Sequence, residues 1–385
     1  MNVRDLLIAL LRNAIKGEAI NRDAIEKFLN DGKLATLFKV AKKHDVAHLV
    51  CFALEQNGFN FDGETWKSFV AEKKQAKLRY EMIRADIDEI FACFEEEDID
   101  YIPLKGAIIR EHYPEPWMRT SCDIDILVRE KELDRAVKAL VEGHQYKTDG
   151  KKTYHDISLF SPFGMHLELH HNIKESEPKY DALLSQVWDY SYKADGGEHK
   201  YVQSNEFLML HLIAHMAYHF VNGGCGLRSV VDIWILEQEL DFDKEAFGEL
   251  LNKAGLCEFY RVIRLLGSYW MEQRETEEKI VLDVEKHVLL GGVYGTRMQN
   301  ATAGRVKKGG RFKYFWTRIF MPYKSLAILY PVIKKHKILT PFCQVARWFS
   351  VLFKRKRIAN EIKRVASTDK SQVEEMKDLF DGLGL

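Results

Sequence analysis

The chain has 385 residues, 46% apolar and 12% aromatic, enough for two or three domains with ample core. Lys+Arg and Asp+Glu are both 57, so overall charge neither selects nor excludes a class of partner. Its distribution is uneven: Arg305 to Arg364 holds 17 Lys/Arg against one acidic residue, Glu361, a local net of +16 that leaves −16 on the other 325 residues.

The opening MNVRDLLIALLRNAIKGEAINRD is amphipathic and lacks a small-residue cleavage site, so it is expected to be a first helix, not a signal peptide. FLNDGKLATLFKVAKKHDVAHLVCFALEQNG has helical apolar spacing and ends on Asn57-Gly58; ETWKSFVAEKKQAKLRYEMIRADIDEIFACFEEED predicts one long amphipathic helix. The period then changes. IDYIPL (99–104) reads as a buried strand ending in Lys105-Gly106, and GAIIREHY as a short helix stopped by Pro114 and Pro116. DIDILV is a strand, REKELDRAVKALVEG a helix closed by Gly143, and YHDISLF (154–160) and MHLELHH (165–171) are strands flanking SPFG.

From Ser204, a good N-cap, EFLMLHLIAHMAYHF returns to helix and is terminated by Asn222-Gly223-Gly224; further helices follow through about Glu277. The basic segment from Arg305 reads as helices broken at Pro322, Pro331 and Pro341. The expected fold class is α+β: a small mixed β-sheet core at 99–200, an N-terminal helical region at 1–98, a helical domain at 201–304 and a basic helical region at 305–385. No run of 18 uncharged apolar residues exists, so no transmembrane segment is expected. Six cysteines without a CxxC pair argue against a zinc ribbon or disulfide framework, and the default location is cytoplasmic.

The chemistry concentrates in two strands. Alternation puts Asp123 and Asp125 on one face with Ile124 and Ile126 on the other, and puts Glu168, His166 and His170 opposite Leu167 and Leu169. If these strands are neighbours, three carboxylates stand together and raise one another's pKa unless a divalent cation neutralises them. Oxygen-rich ligation of this kind suits Mg²⁺ or Mn²⁺, and two such ions about 3.5–4 Å apart clamp a triphosphate. A plain solvated strand face is the competing reading. Upstream, Gly106 lets the backbone approach a ligand and the next helix offers its N-terminal N–H groups, a phosphate cradle to which Lys105 and Arg119 add positive charge. Against that stand an ordinary strand-to-helix turn and a surface salt bridge.

In order, IPLKG, YPEPWMRTSCDIDILV and LELHHNI resemble the nucleotidyltransferase-fold superfamily that includes DNA polymerase beta and the aminoglycoside nucleotidyltransferases. They look most like the bacterial family of uncharacterised nucleotidyltransferases, which HLIAHMAYHF and GLRSVVDIWIL also resemble. The resemblance implies a loop glycine at Gly106, a metal-binding pair at Asp123 and Asp125, and a third carboxylate at Glu168 assisting deprotonation of the acceptor hydroxyl. Two departures stand out: Ala107 replaces the usual serine after the loop glycine, and 16 residues separate Gly106 from Asp123.

His211, His215 and His219 share one helix stripe, read first as a polar packing seam and alternatively as a pocket lining. His170 and His215 are candidate supporting residues, as are Arg228 and Asp232, which otherwise read as an i,i+4 ion pair. For the basic tail, nucleic-acid binding, an anionic membrane surface and a solvated helical face compete. The expected function is metal-dependent transfer of a nucleoside monophosphate from an NTP to a hydroxyl or phosphate acceptor, catalysed by Asp123, Asp125 and Glu168, with an inactive nucleotide-binding or scaffold protein as the alternative.

Overall fold

The computed structural model describes residues 2–293, 295–296, 299, 302–303, 306, 320–321, 323–330, 332–352 and 370–385. The expected first helix is α1 (Val3–Lys16), with a capping box between Asn2 and Asp5. Then come α2 (Arg22–Phe28), α3 (Leu34–Lys43) and α4 (Ala47–Gln56). The predicted continuous segment is kinked at Gly32, whose φ of 75° only a glycine adopts without strain.

The long helix α5 runs Glu64–Glu96, about 50 Å at 1.5 Å per residue. Phe69, Ala76, Ile83 and Ile90, seven apart, are all buried, and of the charged positions between them Asp86 alone is buried with them.

Next are β1 (Tyr101–Pro103), α6 (Gly106–Ile109), β2 (Asp123–Val128), α7 (Leu133–Lys138), β3 (Lys147–Lys152), β4 (Asp156–Phe160) and β5 (His166–His170). They form one five-stranded sheet in the order β1-β2-β5-β4-β3. β2 and β5 run parallel as central neighbours, while the other pairs are antiparallel, so the sheet is mixed and the α+β class holds. Ile124, Ile126, Leu167 and Leu169 are almost fully buried on the face covered by α5, α7 and the turn that follows α7, through Ile83, Ile90, Phe94, Leu133 and Leu140. Burying each such side chain contributes roughly 1.5–3 kcal/mol.

After α8 (Pro178–Leu184) and the hairpin β6 (Ser191–Lys193) and β7 (Tyr201–Gln203), the chain enters α9 (Asn205–Asn222), capped by Ser204 Oγ accepting from Phe207 N–H. α10 (Leu227–Glu239), α11 (Lys244–Ala254), α12 (Cys257–Met271) and α13 (Lys279–Gly291) follow. These helices share one hydrophobic core with α1–α4, so the first and later helical segments pack as one body against the sheet.

Beyond it lie α14 (Tyr323–Leu329), α15 (Val332–Lys335), α16 (Thr340–Leu352) and α17 (Lys370–Gly382). Pro341 is the second residue of α16 where the sequence suggested a break, because a proline in the first helical turn forfeits no intrahelical bond. Pro322, Pro331 and the basic run Lys354–Arg357 lie outside the described residues. Among the described residues no helix is long and apolar enough to cross a membrane.

Candidate active site

Parallel pairing of β2 with β5 sets Asp125 beside Glu168 and Asp123 beside His166. The carboxylates of one strand and the acid of the next therefore share the face away from the α5–α7 core. Lys105 Nζ and His170 Nε2 both donate to Asp125 Oδ1 at 2.9 Å, and His170 Nε2 lies 3.6 Å from Glu168 Oε2. Ligand atoms of Asp125, Glu168 and His170 all fall within 4.8 Å of one another, a grouping able to hold a metal ion.

Burial alone would raise the Asp125 carboxyl, but Lys105 and His170 overturn that and hold it well below the usual carboxylate range. Asp123 moves the other way, raised by burial and then by the charges of Asp125 and Glu168. One buried carboxylate is thus matched by cations and its neighbour is under-matched, the imbalance a further cation relieves.

Lys105 occupies an unusual backbone position, φ 44° and ψ −114°, at the turn from β1 into α6. Its conformation tightens the expected cradle: Ala107 and Ile108 N–H donate to the Leu104 and Lys105 carbonyls, leaving Gly106 N–H without a partner among the described residues. A Cβ on Gly106 would lie 2.7 Å from an Arg119 Nη and 3.3 Å from Ser121 Cβ. Two guanidiniums sit under this loop. Arg110 donates to Gly106 O at 2.6 Å and Ser121 Oγ at 2.9 Å, and burial, then Arg119, pushes it down to about 10.

Arg119 is buried, donating to Asp232 Oδ2 at 3.1 Å, while Tyr113 Oη donates to Asp232 Oδ1 at 2.7 Å. The simple Arg228–Asp232 pair expected on α10 does not form. Arg228 instead donates to Asp45 Oδ2 at 2.9 Å and Thr120 O at 2.7 Å, because each charge finds a partner from another element closer than its helix neighbour.

Lys105, Gly106, Arg119, Arg228, His170 and the five acids above line a cavity of about 690 Å³ between the sheet face and the helical body, within the ordinary range for small-molecule sites, whereas Arg110, Tyr113 and Thr120 are not part of its lining. The histidine stripe of α9 faces it: His211, His215 and His219 line the wall. His215 Nδ1 lies 2.6 Å from Glu175 Oε1, and burial followed by Lys105 drives the imidazole well below its ordinary value. His155 stacks on His170 with ring centroids 5.5 Å apart.

A sequence profile of the uncharacterised nucleotidyltransferase family matches residues 31–272, the span that holds all of the cavity lining except Val293. The chain belongs to that family. Nucleotidyl transfer is accordingly its general class of activity. The solution structure of the antibiotic-resistance factor ANT(2'')-Ia aligns at 14% identity over 50% of this chain and 96% of that one, with a TM-score of 0.33. No curated protein matches the chain.

Within this nucleotidyltransferase the sequence-predicted Lys105, Gly106, Arg119, Asp123, Asp125, Glu168, His170, His215, Arg228 and Asp232 all line one cavity. Sequence reasoning missed Arg110, Glu175, His155 and Asp45. Arg110 carries its signal in the i,i+4 spacing from Gly106; Glu175 and Asp45 carry none, since loop approach alone brings them to the wall.

Proposed function

We propose that this nucleotidyltransferase transfers a nucleoside monophosphate from an NTP to a hydroxyl or phosphate acceptor, releasing pyrophosphate. The carrying observation is the in-register pair Asp125–Glu168, with Lys105 on the same carboxylate, at the floor of a cavity flanked by Gly106. The donor set fits a hard divalent cation: carboxylates at Asp125 and Glu168 and one imidazole at His170 lie together, and Asp123 on the same strand face has a carboxyl raised by burial and then by the charges of Asp125 and Glu168. Those residues would hold Mg²⁺ or Mn²⁺. When bound, the cation would offset phosphate charge in the transition state.

The remaining work falls to the chain. Gly106, with no Cβ and an N–H that has no partner among the described residues, lets phosphate oxygens approach the backbone. Lys105, already charged and shared with Asp125, swings its ammonium between carboxylate and phosphate. Arg119 and Arg110 stay fixed beneath the loop, so their field acts on the triphosphate without reorganisation. Charge stabilisation by preset groups is the main source of rate in phosphoryl transfer.

A nucleotide-binding protein without turnover is the second reading. Ala107 supplies no hydroxyl beside the loop glycine, and the Lys105 ammonium already satisfies Asp125.

A thermal-shift screen of ATP, GTP, CTP and UTP with and without Mg²⁺ or Mn²⁺, followed by pyrophosphate release, tests the proposal. Metal-dependent stabilisation by at least one NTP is expected, with release abolished in folded Asp125→Asn. Stabilisation without release in any condition favours the second reading, and no stabilisation by any NTP removes both.

A further inference from the structure

The Glu175–His215 pair belongs to none of the groups assigned so far. Glu175 stands in the loop after β5, its N–H held by Asp181 Oδ1 at 2.9 Å, and its carboxylate meets His215 Nδ1 at 2.6 Å. A carboxylate only accepts, so Nδ1 carries the hydrogen and Nε2 keeps a lone pair. Among the described residues Nε2 has no hydrogen-bond partner. His219 packs edge-on against the His215 ring at 4.4 Å between centroids, confining it in the wall that faces Lys105, Asp125 and Glu168.

We infer that His215, oriented by Glu175, is the base that takes the acceptor's proton. The inference rests on the transfer reaction proposed above and adds the group that activates its second substrate. The acceptor O–H bond breaks with its proton passing to His215 Nε2. The freed oxygen pair forms the bond to the α-phosphorus, and the bond from that phosphorus to the bridging oxygen breaks, its electrons leaving with pyrophosphate. Glu175 is the positioning residue: it fixes the tautomer and balances the imidazolium that forms.

Two observations favour His215 over Glu168 for this step. Glu168 lies in the donor set with Asp125 and His170, and a carboxylate committed to a cation is a weakened base. His215, by contrast, keeps Nε2 without a hydrogen-bond partner among the described residues on the wall of the same cavity, with Glu175 standing at Nδ1 to balance the imidazolium.

The test measures Mg²⁺-dependent pyrophosphate release from each of the four NTPs. The acceptor is first water, then a deproteinised metabolite extract supplying hydroxyl compounds. His215→Ala is expected to lower release about 100-fold or more while keeping the NTP-induced thermal shift, and added imidazole to restore about 10-fold of it. Glu175→Gln is expected to lose less, and His215→Ala/Glu175→Gln to be no slower than His215→Ala alone, since the pair acts as a unit. Should His215→Ala not fold, His215→Gln, which retains a donor toward Glu175, takes its place for the rate comparison. Release within about threefold of wild type in a folded His215 variant overturns the inference, as does a loss that imidazole leaves unchanged in folded, NTP-binding His215→Ala. A wild-type protein that releases no pyrophosphate sinks the transfer reading and the base together; an active His215 variant sinks the base alone.

Discussion

Lys105 and Asp125 are joined at 2.9 Å through Oδ1, the oxygen that His170 also reaches at 2.9 Å. The ammonium therefore occupies the side of the carboxylate that a divalent cation would approach, and the two compete or share. Removing one partner of a buried pair strands the other's charge, a loss of about 3–5 kcal/mol. Lys105→Met is expected to lower stability by about 3 kcal/mol on that scale, and Mn²⁺ to stabilise the variant more than the wild type. Urea denaturation of both proteins with and without Mn²⁺ checks this; an equal metal effect in the two would mean that Lys105 and the cation do not meet.

Gly106 is required by space, because a Cβ there would press on an Arg119 guanidinium that Asp232 already holds from the other side. Gly106→Ala is expected to destabilise the protein by about 1–3 kcal/mol, the usual range for overpacking, and to shrink the NTP-induced thermal shift. A variant as stable and as responsive as wild type would show that Arg119 yields freely.

Asp232 neutralises Arg119 and accepts from Tyr113 in a buried cluster at the cavity wall. Asp232→Asn leaves an unmatched buried guanidinium and is expected to cost about 3–5 kcal/mol. Tyr113→Phe removes only one hydrogen bond to a charged acceptor, about 1.5–3 kcal/mol. Chemical denaturation should rank the two in that order, and the reverse order would contradict the buried-charge account.

Enclosed histidines, His44, His211 and His287 among them, lower stability in acid. His44 and His287 are each pushed down to about 4 by burial, and His211 to about 3 by burial and then Lys105. The bonds around His44 fit a neutral ring: Nε2–H donates to Leu289 O at 3.1 Å and Nδ1 accepts from Leu227 N–H at 3.5 Å. Because the folded values lie below the unfolded 6.5, the unfolded chain binds more protons, so stability is complete above pH 6.5 and falls as pH drops toward 4. Each ring contributes about 2 kcal/mol of loss by pH 5. Denaturation at a series of pH values should show this slope, and His44→Gln should flatten it by about one proton. A stability flat between pH 7 and pH 5 would mean the rings are not neutral and buried.

The strands that carry the carboxylates were legible because alternation separates Ile124, Ile126, Leu167 and Leu169 from the acids between them. Their adjacency followed only as a condition, which the parallel register of β2 and β5 meets. β3 was invisible: KTDGKK is polar throughout and mostly exposed, and only its pairing with β4 makes it a strand. The i,i+4 spacing of Arg228 and Asp232 misled, because such a pair contributes a few tenths of a kcal/mol and yields to a better partner from another element. Glu175 and Arg110 gain meaning from what approaches them, and periodicity does not record that.

The cavity wall draws on Asp45 from the loop between α3 and α4, on Lys105 through Glu175 around the sheet, and on His211 through Asp232 from α9 and α10. A fragment cut to residues 99–200 would keep Asp123, Asp125 and Glu168 but lose Asp45, Asp232 and the roof. Its three acids would face open solvent with no chamber to exclude water, so the site cannot be shortened to the segment that bears them.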